Sequence, residues 1–317
     1  MPDLSVVSYD TTSPLSRLVD DYLMACRARG LARATIQGSY GYPLRGIFLP
    51  WCHENRYTDL TQLNGRNMAA FSVHLLEDGG RAGRRLEKSS VHAYVRSVRG
   101  FLNWCEQEGE GKVQRPALPT LPRRILDVLD RDEIDRLEAA AKSERDRLII
   151  RILCDCGLRS EELCSLQIES VLRRDRQAHL SVRGKGERDR LVPLPPALLR
   201  RIESYIRNGR PLDHRSSQLF LGLRRGRSGD YEPLTTSGVL QVVARAAEQA
   251  GIKKRVYTHL LRHSFITNAL RAGMSPILVA KIAGHSSLRM IERVYSHLTT
   301  DDAYDAMMEM LTKSGRR

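Results

Sequence analysis

Apolar residues recur at helical spacing through most of the chain. Leu15, Leu18, Val19, Tyr22, Leu23 and Cys26 follow Ser13-Pro14, an N-cap with proline at the first helical position. Gly30 ends that helix. Thr35 caps a second segment carrying Ile36, Tyr40 and Leu44, weakened by Gly38, Gly41 and Pro43. Ile47, Phe48, Trp51 and Cys52 form another short apolar face. Leu63, Met68, Phe71, Leu75 and Leu76 predict a helix stopped by Gly79-Gly80. Ser89 or Ser90 caps a longer one, with Val91, Tyr94, Val95, Val98, Phe101, Leu102 and Cys105 on one stripe. Residues 1–12 show no periodicity and read as a tail; residues 13–107 read as a small helical bundle.

Residues 108–124, with Pro116, Pro119 and Pro122, read as a linker that closes on Arg123-Arg124. Asp130-Arg131-Asp132-Glu133 is a capping box near the start of a second domain, 125–298. Its pattern is mostly helical, with one clear hairpin. Leu180-Ser181-Val182-Arg183 leads into the turn Gly184-Lys185-Gly186, and Arg190-Leu191-Val192-Pro193-Leu194 returns. Leu219-Phe220-Leu221 suggests another strand. Later helices run from about 236 to 250, from Thr258 to Gly273, from Ser275-Pro276 to Gly284, and from Ser286 through Tyr295. Within 299–317, Ala303, Ala306, Met307, Met310 and Leu311 mark a C-terminal tail helix. The expected fold class is mainly α: a helical N-terminal bundle, then an α+β domain with a small antiparallel hairpin or sheet.

Charge narrows the function. The 317 residues hold 51 Lys+Arg against 37 Asp+Glu, a formal net charge of +14. Residues 1–110 are nearly balanced, with 13 basic and 12 acidic side chains, whereas residues 111–317 hold 38 and 25. Only 8 of the basic residues are lysine. Arginine suits forked phosphate contacts, so the excess points to a polyanion such as DNA. No run of 18 apolar residues exists, and Met1-Pro2-Asp3-Leu4 opens no secretory signal. The six cysteines form no CxxC pair, and reduced thiols in the cytoplasm are the simplest reading. There is no GxxxxGK, no GxGxxG and no Gly-x-Ser-x-Gly. His259 and His263 have zinc-helix spacing, but the glutamate after the first is missing and Arg262 would repel a cation, so no metal site is expected.

Four segments carry the chemistry. They are Cys156-Gly157-Leu158-Arg159-Ser160-Glu161-Glu162-Leu163, Arg183-Gly184-Lys185-Gly186-Glu187-Arg188, His259-Leu260-Leu261-Arg262-His263-Ser264-Phe265, and Ala283-Gly284-His285-Ser286-Ser287-Leu288 running on to Tyr295-Ser296-His297. In this order they resemble the tyrosine recombinase (phage integrase) family, strongly over 130–298 and weakly before it. The resemblance implies six catalytic residues: Arg159, Lys185, His259, Arg262, His285 and the nucleophile Tyr295. It also implies a core-DNA-binding (SAM-like) N-terminal domain, a covalent 3′-phosphotyrosyl intermediate, no cofactor, and a homotetramer on double-stranded DNA with inverted-repeat core sites. The near-neutral first 110 residues depart from it mildly, and Arg33, Arg96 and Arg99, with Arg123 and Arg124, are the candidate DNA contacts.

The chemistry suits those residue types. Transesterification builds charge on two non-bridging oxygens, which paired arginines can receive. Arg159 lies at the turn into a helix capped by Ser160; Arg262 lies one turn into another. A tyrosine with a pKa of about 10 needs help to ionise, from His259 as base or orienting group, while His285 donates to the phosphate. Lys185, on a glycine-flanked turn, can protonate the leaving oxygen. His263 is assigned a structural hydrogen bond. The expected function is site-specific DNA recombination for integration, excision or resolution. Alternatives are a transposon-encoded tyrosine transposase, a type IB topoisomerase and a catalytically silent DNA-binding protein; the intact six-residue set argues against the last.

Overall fold

The computed structural model describes residues 10–77, 85–121, 127–174, 177–184, 189–211, 216–284, 291–292, 304, 307–308 and 312. The chain divides into two units, 1–124 and 125–317.

In the first unit, α1 (Pro14–Ala28) starts as its sequence implies: Ser13 Oγ accepts from the Ser16 amide at 3.2 Å. The second segment differs from expectation. Thr35 has helical dihedrals and no capping bond. Instead α2 (Arg33–Thr35) runs into π-helical turns at Ile36–Gly41 and Leu44–Phe48 and then into α3 (Leu49–Glu54). The first of these wider i→i+5 turns takes in Gly38 and Gly41, which are poor α-helix formers, and Pro43 stands just before the second. α4 spans Gly65–Glu77, and the glycine pair beyond it lies outside the described residues. α5 (Lys88–Gln107) begins before either predicted serine, with Glu87 at the cap position. These helices enclose an aromatic core in which the Phe48 and Phe71 rings meet edge-to-face at 5.3 Å and Trp51 tilts against Phe71 at 5.1 Å.

The second unit begins with α6 (Arg131–Ala139). Asp130 accepts from the Glu133 amide at 2.8 Å, and Glu133 reaches back to the Asp130 amide at 3.0 Å, completing the capping box. α7 (Glu144–Cys156) is buried on most sides, through Leu148, Ile149, Ile150, Ile152, Leu153, Cys154 and Cys156, and is the centre of the unit. It stops at Gly157, whose φ of +61° takes the left-handed conformation. Short α8 (Ser160–Ser165) follows.

The predicted hairpin is two strands of an antiparallel sheet of three. β2 (Gln177–Val182) pairs with β3 (Arg190–Pro193) on one side and with β1 (Val171–Arg174) on the other. The sequence pattern missed β1, whose Leu-Arg-Arg ending lacks alternation. After α9 (Pro196–Ser204), β4 runs over Leu221–Arg225 rather than Leu219–Leu221 and pairs with β5 (Tyr231–Pro233). Leu219 and Phe220 are buried core residues just before β4; the Leu219 amide donates to the Leu166 carbonyl at 2.7 Å and the Phe220 carbonyl accepts from the Leu234 amide at 3.1 Å. α10 (Thr236–Gln249), α11 (Thr258–Arg271) and α12 (Pro276–Ala283) match the predicted punctuation closely. The helix predicted from Ser286 through Tyr295 lies mostly outside the described residues; Ile291 and Glu292 are helical. In the tail, Tyr304, Met307, Met308 and Thr312 are helical. No described helix is long and apolar enough to cross a membrane.

Candidate active site

Arg159 and Arg262 come together although more than a hundred residues separate them. Arg159 is itself the N-cap residue of α8, and Ser160 is its first helical residue. Glu162 makes it so: its carboxylate accepts from the Arg159 amide at 2.8 Å and from Arg159 Nη1 at 2.7 Å. Arg262, on α11, is buried. Its Nη1 donates to the Gly157 carbonyl at 2.6 Å, and its Nη2 to the Ala283 carbonyl at 2.5 Å.

A third arginine completes the cluster. Arg190 opens β3 and forks onto both oxygens of Glu162, at 2.9 and 2.8 Å. Its Nε donates to the Ile282 carbonyl at 2.7 Å. Arg159 Nη2 reaches the Gly284 carbonyl at 3.2 Å. Three consecutive carbonyls at the end of α12 therefore each hold a different arginine: Ile282 holds Arg190, Ala283 holds Arg262, and Gly284 holds Arg159. A helix C-terminus leaves such carbonyls unsatisfied and carries partial negative charge, so it is a natural seat for guanidinium groups.

Two glycines are obligatory here. Gly157 has φ +61°, and a Cβ on it would lie 2.3 Å from Phe265 Cδ1. Gly284 has φ +69°, and its Cβ would lie 2.9 Å from the Arg190 guanidinium carbon. Both conformation and space exclude a side chain.

Burial pushes the Glu162 carboxyl up, but the hydrogen bonds from Arg190 and Arg159 outweigh it and hold the carboxyl at about 2. For Arg262, burial together with the like charge of Arg159 brings the guanidinium down to about 10, still protonated at neutral pH. A carboxyl depressed on folding stabilises the fold above its usual value of 4.5 and loses that contribution as pH falls towards about 2. Glu162→Gln is therefore expected to be less stable than wild type at pH 7, with a deficit that shrinks between about pH 4.5 and 2. Urea melts across that range check this; a deficit constant with pH contradicts it.

His259 is exposed in the first turn of α11, one turn before Arg262, and His263 is half-buried one turn further on. Lys185, His285 and Tyr295 lie outside the described residues, as do Arg123 and Arg124. Their flanks are described. Val182 pairs with Arg190 across residues 183–189, Gly284 precedes His285, and Ile291 is buried beside Ile266, Leu270 and Val279. In the first unit, Arg33 and Arg96 are exposed, whereas Arg99 is half-buried and donates to the Pro116 carbonyl at 2.7 Å. Glu162 and Arg190 were missed by sequence reasoning. Both left a signal: Glu162 stands three residues after Arg159, and period-two alternation puts Arg190 on the same face of β3 as buried Val192.

The phage integrase family model matches residues 127–302, more than half of the chain. The chain belongs to the phage integrase family. A tyrosine recombinase of Pseudothermotoga lettingae is 33% identical over 72% of this chain and 77% of its own length. Tyrosine recombinase XerA of Thermococcus kodakarensis is 30% identical over 75% and 79%. As a phage integrase family member, the protein is a site-specific recombinase that breaks and rejoins DNA strands. Two solved structures share the family fold. The XerH recombinase bound to palindromic difH substrate superposes with a TM-score of 0.70 and 21% identity, covering 91% of this chain and 84% of that one. The Tn1549 transposon integrase with circular intermediate DNA gives 0.69 and 18%, covering 94% and 100%.

Proposed function

We propose that Tyr295 attacks the scissile phosphate, forming a 3′-phosphotyrosyl bond and releasing a 5′-hydroxyl. Arg159 and Arg262 receive the two non-bridging oxygens, His259 and His285 orient the nucleophile and the phosphate, and Lys185 protonates the leaving oxygen. The observation that carries this reading is the seating of Arg159 and Arg262 on adjacent carbonyls of one helix end. Three guanidiniums against the single carboxylate of Glu162 leave an excess of positive charge where a phosphorane would need it. One ester replaces another, so rejoining is the reverse step and calls for no nucleotide hydrolysis, metal or other cofactor.

The partner is double-stranded DNA with inverted-repeat core sites. Unit 1 supplies core contacts through exposed Arg33 and Arg96, joined by linker Arg123 and Arg124. Action in the cytoplasm suits six free cysteines, five of them buried. A transposon-encoded role rests on the likeness to the Tn1549 integrase and uses the same chemistry. The function is tested with a nicked suicide duplex carrying a site selected by binding from randomised repeats. An SDS-stable protein–DNA adduct is expected, and its absence on every bound site overturns the reading.

The assembly is a homotetramer linked by exchange of the tail helix. Support comes from Met307, which lies on the apolar stripe of the tail and is exposed at 53% of its surface. A stripe this short is not a stable helix alone and must pack on something. Truncation after Leu298 is expected to preserve monomer binding to DNA and to remove tetrameric synapses from a sizing column. Undiminished synapsis would favour docking of the helix on its own subunit.

A further inference from the structure

We propose that Arg190 is a positioning residue that cancels the charge of Glu162, so that Arg159 and Arg262 stay available to an anionic phosphate. This rests on the reading of those two arginines as the phosphate-binding pair.

Arg190 is committed to the protein. Its Nη1 and Nη2 fork onto the two Glu162 oxygens at 2.9 and 2.8 Å, and its Nε donates to the Ile282 carbonyl at 2.7 Å. Its side chain is 10% exposed, against 37% for Arg159. All three guanidinium nitrogens are thus used inside the fold, and Arg190 is not assigned a contact with DNA. What it touches is the carboxylate and the helix end that hold the other two arginines.

Glu162 poses a conflict. Its carboxylate fixes Arg159 through two bonds, one from the backbone amide and one from Nη1, and lies 4.0 Å from Arg262 Nη1. That grip orients the pair. A negative charge in the same place also repels an incoming phosphate, and it does so strongly because the carboxylate is buried. The fork from Arg190 resolves the conflict: Glu162 keeps its hold on Arg159 while a third guanidinium balances its charge. Removing Arg190 would leave a buried carboxylate short of a partner, which is costly. The nearest cations left to answer it are Arg159 and Arg262, and they would be drawn towards Glu162 and away from the substrate. A displacement of about 1 Å at a reacting centre can cost on the order of 10²-fold in rate.

The test compares single-turnover cleavage of an ordinary duplex with that of one whose scissile phosphate is a methylphosphonate. A methyl group in place of one non-bridging oxygen removes the phosphate charge, so repulsion by Glu162 no longer counts. Each variant is measured against wild type on the same substrate. Arg190→Gln is expected to slow the ordinary substrate roughly 10- to 100-fold and the neutral one much less, with DNA affinity unchanged. Adding Glu162→Gln to Arg190→Gln removes the unbalanced carboxylate and should restore part of ordinary cleavage, whereas a defect of packing alone would deepen with the second substitution. Arg190→Lys keeps the charge without the fork and should lose less than Arg190→Gln; it carries the same substrate comparison if the glutamine variant folds poorly. Equal slowing of both substrates, or a double variant slower than Arg190→Gln, overturns the proposal. Arg159→Ala should likewise lose less on the neutral substrate. If its loss is equal on both, the assignment of the phosphate-binding pair fails and this proposal falls with it. If Arg159→Ala depends on the substrate charge and Arg190→Gln does not, only the role of Arg190 falls.

Discussion

Tyr295→Phe is expected to abolish the covalent protein–DNA adduct while leaving DNA binding intact. Only a hydroxyl is lost, and the aromatic ring is kept. Burial pushes the Cys105 thiol up to about 12 and the Cys164 thiol up to about 11, so neither offers a thiolate at neutral pH. Tyr304 is the nearest rival in sequence, but it lies beyond His297 and is 60% exposed on the tail. The arginine cluster can hold a phosphate but supplies no nucleophile, so the variant should bind its site and stop there. The measurement is denaturing electrophoresis of the variant on a suicide duplex. An adduct that persists removes Tyr295 from its role.

Lys185→Ala is the second large effect. An alkoxide is a poor leaving group at neutral pH, and general acid catalysis by a positioned side chain contributes roughly 10²–10⁴-fold. Cleavage of an ordinary phosphodiester should fall by about that factor. Substrate affinity should change little, because one lysine among 51 basic residues contributes a small share of the phosphate attraction. A 5′-bridging phosphorothioate should be cut by the variant at close to the wild-type rate. If sulfur brings no recovery, Lys185 acts in another way.

The elements with strong punctuation were legible in the sequence. Ser13-Pro14, the Asp130–Glu133 box and the Ser275-Pro276 start all stand where the pattern put them. The misses share a cause, which is that local signals were outvoted by tertiary packing. Thr35 has the chemistry of a cap, yet the helix runs through it by widening into π turns. Ser160 likewise yields its place as cap to Arg159, because Glu162 reaches back to that residue's amide. Strand β1 exists because β2 offers it a ladder, not because Val171-Leu172-Arg173-Arg174 alternates.

At the site, the motifs identified Arg159 and Arg262 by residue type and spacing. What holds the two arginines was not visible in that way. The ledge of carbonyls at Ile282, Ala283 and Gly284 is a backbone feature, and Arg190 looked like an ordinary strand residue until its partner Glu162 was seen across the fold. Alternation puts Arg190 on the buried face of β3, but which residue it meets across such a separation leaves no mark in a single sequence.

Mapping the adduct formed by the wild-type protein bears most directly on the central claim. Trypsin cuts after Arg293 and Lys313, so one peptide, 294–313, carries both Tyr295 and Tyr304. Fragmentation of that peptide from protein trapped on a suicide duplex and digested with nuclease locates the nucleotide. The expected result is a 3′-phosphonucleotide on Tyr295, with a free 5′-hydroxyl on the released strand. A nucleotide on Tyr304, or on any residue outside this peptide, contradicts the account.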